Sequence, residues 1–180
     1  MKKGMCVMLE VLLKRRSIRK FTAQSVSEEA LQQVLQAALL APSSRGRNPW
    51  AFIVVEDKVM LQQLGRCRHP QQAFLPQTPA AVVVLGDKTV SDVWVEDCSI
   101  AMILMQLEAE KLGLGSCWIQ IHNRIAQGEQ ESSNDFVKGL LDIPEQYEVL
   151  AILALGVPAE KKTGRRLEDL AYEKIHREKF

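Results

Sequence analysis

Arg15-Arg16-Ser17-Ile18-Arg19 places three guanidinium groups and one hydroxyl within five residues, directly after the apolar stretch 8–13. Guanidinium groups are always charged, and they form forked hydrogen bonds that match the geometry of phosphate. A short cationic segment beside an apolar element therefore suggests that a phosphorylated cofactor is held against the core. The same residues taken alone are also compatible with a solvated basic surface, so the rest of the chain must decide.

The composition indicates a globular chain with a substantial core. The 180 residues fit one domain, and we predict a single domain over residues 1–180. Apolar residues make up 47% of the chain and charged residues 25%, which disfavours disorder. Because the net charge is only +1, we expect no nucleic-acid partner, and any recognition of an anion must be local.

The pattern of apolar and cysteine residues indicates a cytoplasmic protein. We find no pattern of a secretory signal and no apolar stretch long enough to cross a bilayer, so we expect no membrane partner. The four cysteines are widely spaced without a C-x-x-C pair, and the three histidines are far apart, which argues against a metal site. Cys98 and Cys117 have apolar neighbours and are interpreted as small core residues.

Hydrophobic periodicity predicts helices and strands in a mixed order, without the strict alternation of a doubly wound fold, so the expected class is α+β. One helix begins at a capping box of Ser25 and Glu28 and ends near Ala41. The other predicted helices cover residues 5–13, 58–64, 91–112 and a short stretch that ends near 141. The predicted strands cover residues 51–55, 80–85, 117–121 and 149–155, and the basic tail after residue 161 is weakly helical.

Two further groups of charged residues need an interpretation. Glu96 and Asp97 could be a general acid and base, but adjacent residues on a helix do not share a face, so one should be solvated and the other paired or capping. A second basic run, residues 161–166, follows the last predicted strand. If it converges with residues 15–19, the two would form a phosphate pocket without general basicity.

At this point the chain resembles the nitroreductase family, flavin-dependent oxidoreductases that bind FMN. Four segments carry the resemblance, in the order of the family, between about Leu9 and Leu170. They are Arg15-Arg16-Ser17-Ile18-Arg19-Lys20-Phe21; Ala41-Pro42-Ser43-Ser44 with Asn48-Pro49-Trp50-Ala51-Phe52; Leu112-Gly113-Leu114-Gly115-Ser116-Cys117-Trp118-Ile119; and Ala154-Leu155-Gly156-Val157-Pro158 with the basic run behind it. Each segment is weak alone, and their joint order and spacing are specific.

The resemblance implies an α+β fold with a mostly antiparallel four- to five-stranded sheet flanked by helices, and a homodimer with FMN at the interface. It implies that residues 15–19 hold the cofactor and that the backbone around Gln120 and Ile121 lies near the reactive flavin nitrogen. It also implies that residues 42–44 come from the partner subunit. The implied cofactor-binding residues are Arg15, Arg16, Ser17, Arg19, Pro42, Ser43, Ser44, Gln120, Ile121, Arg165 and Arg166, with Arg165 or Arg166 returning to the phosphate.

The implied activity is an FMN-dependent oxidoreductase that uses NADH or NADPH to reduce nitroaromatic, quinone or related small-molecule acceptors. Hydride would pass through flavin N5 in ping-pong exchange, without a catalytic side chain and with Arg19 as an electrostatic stabiliser of the reduced flavin. Two alternatives remain open. One is a flavin enzyme of the same fold that performs flavin destruction, dehalogenation or dehydrogenation, and the other is a non-catalytic FMN-binding protein.

The loop Arg45-Gly46-Arg47 departs from what a flavin site requires, because it is unusually basic. It either selects a phosphate-bearing or acidic substrate or is simply solvated, and the sequence favours solvation.

Overall fold

The computed structural model describes residues 7–70, 72–128 and 130–180. Its strands are β1 (Trp50–Val55), β2 (Ala80–Asp87), β3 (Gly115–Gln120) and β4 (Tyr147–Gly156). They form one antiparallel sheet in the order β1-β2-β4-β3. The predicted α+β class and antiparallel sheet are therefore confirmed.

Five α-helices surround this sheet in the described part of the chain: α1 (Val7–Lys14), α2 (Glu28–Leu39), α3 (Lys58–Leu64), α4 (Trp94–Lys111) and α5 (Ser133–Leu140). Helices α2 and α4 cover one face of the sheet, and α3 and α5 cover the other. Strands β2 and β4 lie in the middle of the sheet with both faces covered. This explains their nearly continuous apolar sequences, since both faces of each strand are buried along most of its length.

Several predicted helix boundaries differ from the structure by two or three residues, and a local hydrogen bond explains the difference at the start of α2. The N-cap of α2 is Ser27, whose hydroxyl accepts from the Ala30 N–H at 3.3 Å, so the capping box at Ser25 was misplaced by two residues. The helix ends at Leu39 and not at Ala41. Helix α4 begins at Trp94, later than the predicted residue 91.

The ends of the chain also differ from the prediction. The tail contains two short 3-10 turns, Leu167–Asp169 and Tyr172–Lys174, and no α-helix in its described residues. Met5 and Cys6, which belong to the first predicted helix, lie outside the described residues. None of the described helices is long and apolar enough to cross a membrane. Within the same residues, no group of His, Cys, Asp and Glu side chains could hold a metal ion.

Candidate functional site

Residues 15–19, which we call the arginine segment, lie along the open edge of β3. Ser17 forms a parallel bridge with Ser116, and the Ile18 N–H donates to the Ser116 carbonyl at 2.9 Å. Gly115 makes this approach possible, because a Cβ atom there would lie 2.8 Å from Ile18 Cγ2. The arginine segment therefore occupies the place of a fifth strand next to β3.

Residues 158–165, which we call the return segment, cross back over the arginine segment. The Ala159 N–H donates to the Lys20 carbonyl at 2.8 Å, and the Arg165 N–H donates to the Leu13 carbonyl at 2.8 Å. In addition, the Arg16 guanidinium donates to the carbonyl of Thr163. The early and late basic runs of the sequence thus meet, as their convergence into one pocket would require.

Two charged side chains hold these segments together. The Glu160 carboxylate accepts from the Arg19 N–H at 2.6 Å, and it lies 3.5 Å from the Lys162 ammonium. Lys162 in turn donates to the Ser17 carbonyl at 2.6 Å. The hydrogen bond from the Arg19 backbone and the charge of Lys162 lower the pKa of Glu160. The sequence indicated Lys162 only as one member of a basic run, and it gave no indication of Glu160. Nothing local in the sequence shows which side chains a crossing segment turns inward.

The remaining arginines of the segment lie beside the buried start of β3. Burial raises the pKa of the Cys117 thiol, and the positive charges of Arg19 and Arg15 oppose this effect. Burial also raises the pKa of Glu110 at the end of α4, again opposed by Arg15. Cys117 itself is buried, which confirms its interpretation as a core residue. Arg15 and Arg19 therefore lie close enough to this strand edge to influence groups along it.

Two cavities adjoin the crossing. One has a volume of about 540 Å³ and lies between the end of α4 and the return segment, and the other, of about 410 Å³, lies beneath the tail. Arg16 borders both cavities, and Arg165 borders the smaller one. Arg166 instead forms a two-pronged ion pair with Asp169, at 2.9 and 2.7 Å. Of the two late arginines predicted to reach a phosphate, Arg165 is therefore the better placed.

A larger cavity of about 680 Å³ lies elsewhere, between residues 21–25, the start of α3 and residues 76–79. None of the predicted cofactor-binding residues lines it. Size alone therefore does not identify the functional site in this molecule.

At the far end of β3, the structure distinguishes Gln120 from Ile121. The Ile121 N–H already donates to the Leu150 carbonyl of β4 at 3.1 Å. Because successive N–H groups of a strand point in opposite directions, the Gln120 N–H faces the open edge. The Gln120 side chain is fixed by a bond from the Trp118 indole at 2.8 Å and by its own donation to the His122 carbonyl at 3.0 Å. Gln120, unlike Ile121, thus directs its backbone N–H towards this edge.

Residues 42–49, which we call the serine loop, are anchored on α4. The buried Asp97 carboxylate accepts from the Ser44 N–H at 2.8 Å and from the Ser91 hydroxyl at 3.0 Å. Ser43 accepts from the Asn48 N–H at 2.9 Å and closes the loop. Pro42 is exposed, and so is Glu96. The prediction that one of the two adjacent acids is solvated and the other paired is confirmed.

The serine loop and the arginine segment lie at diagonally opposite corners of the sheet. Ser17 pairs with Ser116 of β3, which is aligned through Leu155 of β4 with Ala80 at the start of β2. Trp50, which follows the serine loop, pairs instead with Gly86 near the other end of β2. These two points of β2 are about 20 Å apart along the strand, and the four steps across the sheet add about 19 Å sideways. One chain therefore cannot place both groups around a single small molecule.

The Nitroreductase family model matches residues 12–92 and 58–157. A protein of Archaeoglobus fulgidus, provisionally named an NADH dehydrogenase/NAD(P)H nitroreductase, is 37% identical over 177 residues, with 96% of this chain and 98% of that protein covered. The solved structure of an FMN-dependent nitroreductase from Clostridium difficile R20291 is 43% identical and has a TM-score of 0.93, covering 96% of this chain and 99% of that one. A Parabacteroides distasonis structure with the same provisional name is 30% identical, with a TM-score of 0.88 and coverage of 98% and 100%.

The fold, with its arginine segment added beside β3, is an α+β fold of the nitroreductase type. Sequence and structure agree over nearly the whole length of the chain. The chain belongs to the nitroreductase family, which is a family of oxidoreductases.

Proposed function

We propose that this protein is an FMN-dependent oxidoreductase that uses NADH or NADPH to reduce nitroaromatic, quinone or related acceptors. The observation that carries the proposal is the crossing of the arginine and return segments at the edge of β3, where Arg16 and Arg165 border the same cavity. The proposal is also supported by the 43% identical structure, which is named as FMN-dependent. A cytoplasmic location remains a prediction.

The residues at this edge fit FMN in charge and order. Arg15, Arg16, Ser17 and Arg165 would hold the phosphate end, since guanidinium and hydroxyl groups suit phosphate oxygens. The Gln120 N–H lies further along β3 and would face the ring, and the exposed Arg19 would place its charge at the same ring. When bound, FMN supplies the two-electron redox chemistry that no side chain here provides.

The overall exchange balances without a catalytic side chain. NAD(P)H gives up a hydride and becomes NAD(P)⁺, and a quinone that receives the hydride equivalent and one proton becomes a hydroquinone. Donor and acceptor would occupy the same place in turn, which gives ping-pong kinetics. The role of Arg19 is to stabilise negative charge on the reduced cofactor, and water can provide the proton.

We further propose that the site is completed in a homodimer. The serine loop is too far from the arginine segment of its own chain to share a ligand with it, and a second copy would resolve this separation. Helix α4 connects the two regions and carries Ile100 and Ile103, both 37% exposed. Two copies packed around antiparallel α4 helices would bring the serine loop of each chain to the arginine segment of the other.

The proposal is tested with the purified protein. A yellow preparation with flavin absorbance, which bleaches when NADH or NADPH is added without oxygen and recovers when a quinone follows, is the expected result. A colourless protein that does not retain added FMN would disprove the cofactor assignment. Retained FMN that neither nicotinamide reduces would instead favour a flavin enzyme with another donor or a binding protein.

A further inference from the structure

The two arginines of the serine loop have different surroundings. The Arg47 guanidinium lies 3.5 Å from the Asp92 carboxylate, so its charge has a local partner. Arg45 is exposed, and within the described residues its side chain forms no hydrogen bond or ion pair. The sequence favours simple solvation for both arginines. In the described part of the structure, Arg47 has a carboxylate partner, and of the two only Arg45 presents an unpaired charge to solvent.

Arg45 also has an unusual backbone conformation. Its φ angle is +54°, and Gly46 and Asn48 in the same loop have φ angles of +63° and +48°. A residue with a Cβ atom is disfavoured in this left-handed region, whereas glycine is not. Such outliers persist when the surrounding structure enforces them, and they cluster at binding and catalytic sites.

The base of the loop provides this enforcement. The Ser44 N–H, directly before Arg45, is bonded to the buried Asp97 carboxylate, and the Ser43–Asn48 bond closes the loop. Arg45 is thus displayed from a fixed backbone, so a ligand would have to order only its side chain. A guanidinium displayed in this way can form forked hydrogen bonds with a carboxylate.

We propose that Arg45 is a specificity-determining residue that selects electron acceptors carrying a carboxylate or a similar anionic group. This inference rests on the proposed function, because Arg45 reaches a flavin only if the serine loop completes the site of the partner subunit. In that arrangement Arg45, which follows the anchored Ser44, would lie at the rim of the shared site and would meet an acceptor bound there. A neutral acceptor gains nothing from the guanidinium, whereas an anionic one gains a charged hydrogen-bond partner.

The test compares 4-nitrobenzoate with 4-nitrobenzamide, which share the nitro group and the ring and differ in charge. The FMN-loaded enzyme is assayed at low ionic strength, and the measured quantity is the ratio of kcat/KM for the acid to that for the amide. Arg45→Gln should lower this ratio about three- to fivefold, the effect expected of an accessible ion pair. Added salt should lower the wild-type ratio in the same direction.

Two variants serve as controls. Arg45→Lys keeps the charge and should keep the ratio within about twofold of the wild type, which separates loss of charge from damage to the loop. Arg47→Gln removes an arginine from the same loop that is already paired and should leave the ratio unchanged.

The outcomes separate this inference from the proposed function. An active flavoprotein in which Arg45→Gln leaves the acid-to-amide ratio at the wild-type value would overturn the role of Arg45 alone. An altered preference for NADPH over NADH, with no change in the acceptor ratio, would also overturn it, because the recognised anion would belong to the donor. A wild-type protein that cannot pass electrons from either nicotinamide to either acceptor overturns the proposed function and this inference together.

Discussion

Arg15, Arg16 and Arg19 carry the same side chain in one short segment, but the fold gives them different surroundings. Arg16 is half-buried and donates to the Thr163 carbonyl, so part of its function is to fasten the return segment. Arg19 is exposed, and its backbone N–H is held by Glu160. The guanidinium of Arg19 is therefore exposed on a fixed backbone, which is consistent with the role proposed for it beside the cofactor ring.

Replacing Arg19 should change the redox potential of the bound flavin. Loss of a charged partner costs about 1.5–3 kcal/mol, and for a two-electron couple this corresponds to a shift of about 30–65 mV to more negative potential. The measurement is the midpoint potential of FMN-loaded Arg19→Ala by equilibration with a reference dye. Arg47→Ala, which removes a cation that is paired with Asp92, is the matched control. Equal potentials in both variants and the wild type would contradict the role of Arg19.

The buried thiols should make stability depend on alkaline pH. Burial raises the pKa of Cys67 and of Cys98 to about 12, well above the ordinary value for a thiol. The unfolded chain then loses these protons at a lower pH than the folded chain does. The stabilisation is therefore complete below about pH 8.5 and is lost progressively as the pH rises towards 12.

Urea unfolding at a series of pH values between neutral and alkaline checks this expectation. For each thiol, the free energy of unfolding should fall by at most about 1.4 kcal/mol per pH unit above the thiol pKa of the unfolded chain. Cys67→Ala should show a shallower decline than the wild type, since other alkaline titrations are common to both proteins. Identical slopes would mean that Cys67 does not contribute.

At the level of elements, the functional edge depends on how closely the arginine segment approaches β3. The helix α1 ends at Lys14, and the chain then runs beside β3 and never joins a regular strand. Only one bridge and one backbone hydrogen bond connect the segment to β3, at Ser116. Its position is therefore sensitive to the size of the residue at Gly115.

Gly115→Ala should displace the arginine segment. The added Cβ would lie 2.8 Å from Ile18 Cγ2, and relieving such overpacking typically costs about 1–3 kcal/mol. We expect a lower free energy of unfolding together with weaker FMN retention, measured by denaturant titration and by flavin fluorescence. Gly139→Ala on α5 is the control, because a Cβ there meets nothing within 4 Å and should stabilise the helix by about 0.5–1 kcal/mol. Unchanged FMN retention in Gly115→Ala would show that the segment does not need this close approach.

The elements were largely predictable, and the exceptions have local causes. Strands β2 and β4 were recognisable because both faces are buried, which leaves uninterrupted apolar runs. The start of α2 was misplaced because Ser25 and Ser27 both precede Glu28 and Glu29, and only the structure shows which hydroxyl reaches a free N–H. The tail lacks a repeating apolar face, so its helical prediction had no packing to support it.

For the whole molecule, the diagonal separation of the serine loop and the arginine segment has a direct consequence. Helix α4 gives a second measure of this separation. Asp97 on this helix anchors the serine loop, and Glu110 on the same helix borders the cavity beside Arg16. Thirteen residues of helix correspond to about 20 Å. Two independent elements thus place the two halves of the candidate site far apart in one chain, which supports a site built from two chains.

Ile103→Glu should therefore weaken both association and cofactor binding. Ile103 is 37% exposed on α4, and a carboxylate buried in an interface without a partner is strongly unfavourable. We expect dimer dissociation to increase at least about tenfold, measured by sedimentation, with FMN lost in parallel. Val59→Glu on α3 is a suitable control, because Val59 is 62% exposed on the opposite face of the sheet. A dimer that persists with full FMN content in Ile103→Glu would contradict this arrangement of subunits.

The sequence by itself determined most of the helices and strands, the class of fold and the family, because these depend on local periodicity and on motifs whose order is visible along the chain. It also marked the arginine segment and the serine loop as candidate binding elements. Only the tertiary structure decided which members of each basic run turn towards the site, such as Lys162 and Arg165, and which are engaged elsewhere, such as Arg166 with Asp169. The contacts that draw the late basic run to the arginine segment join residues about 145 positions apart, for which a local pattern carries no signal.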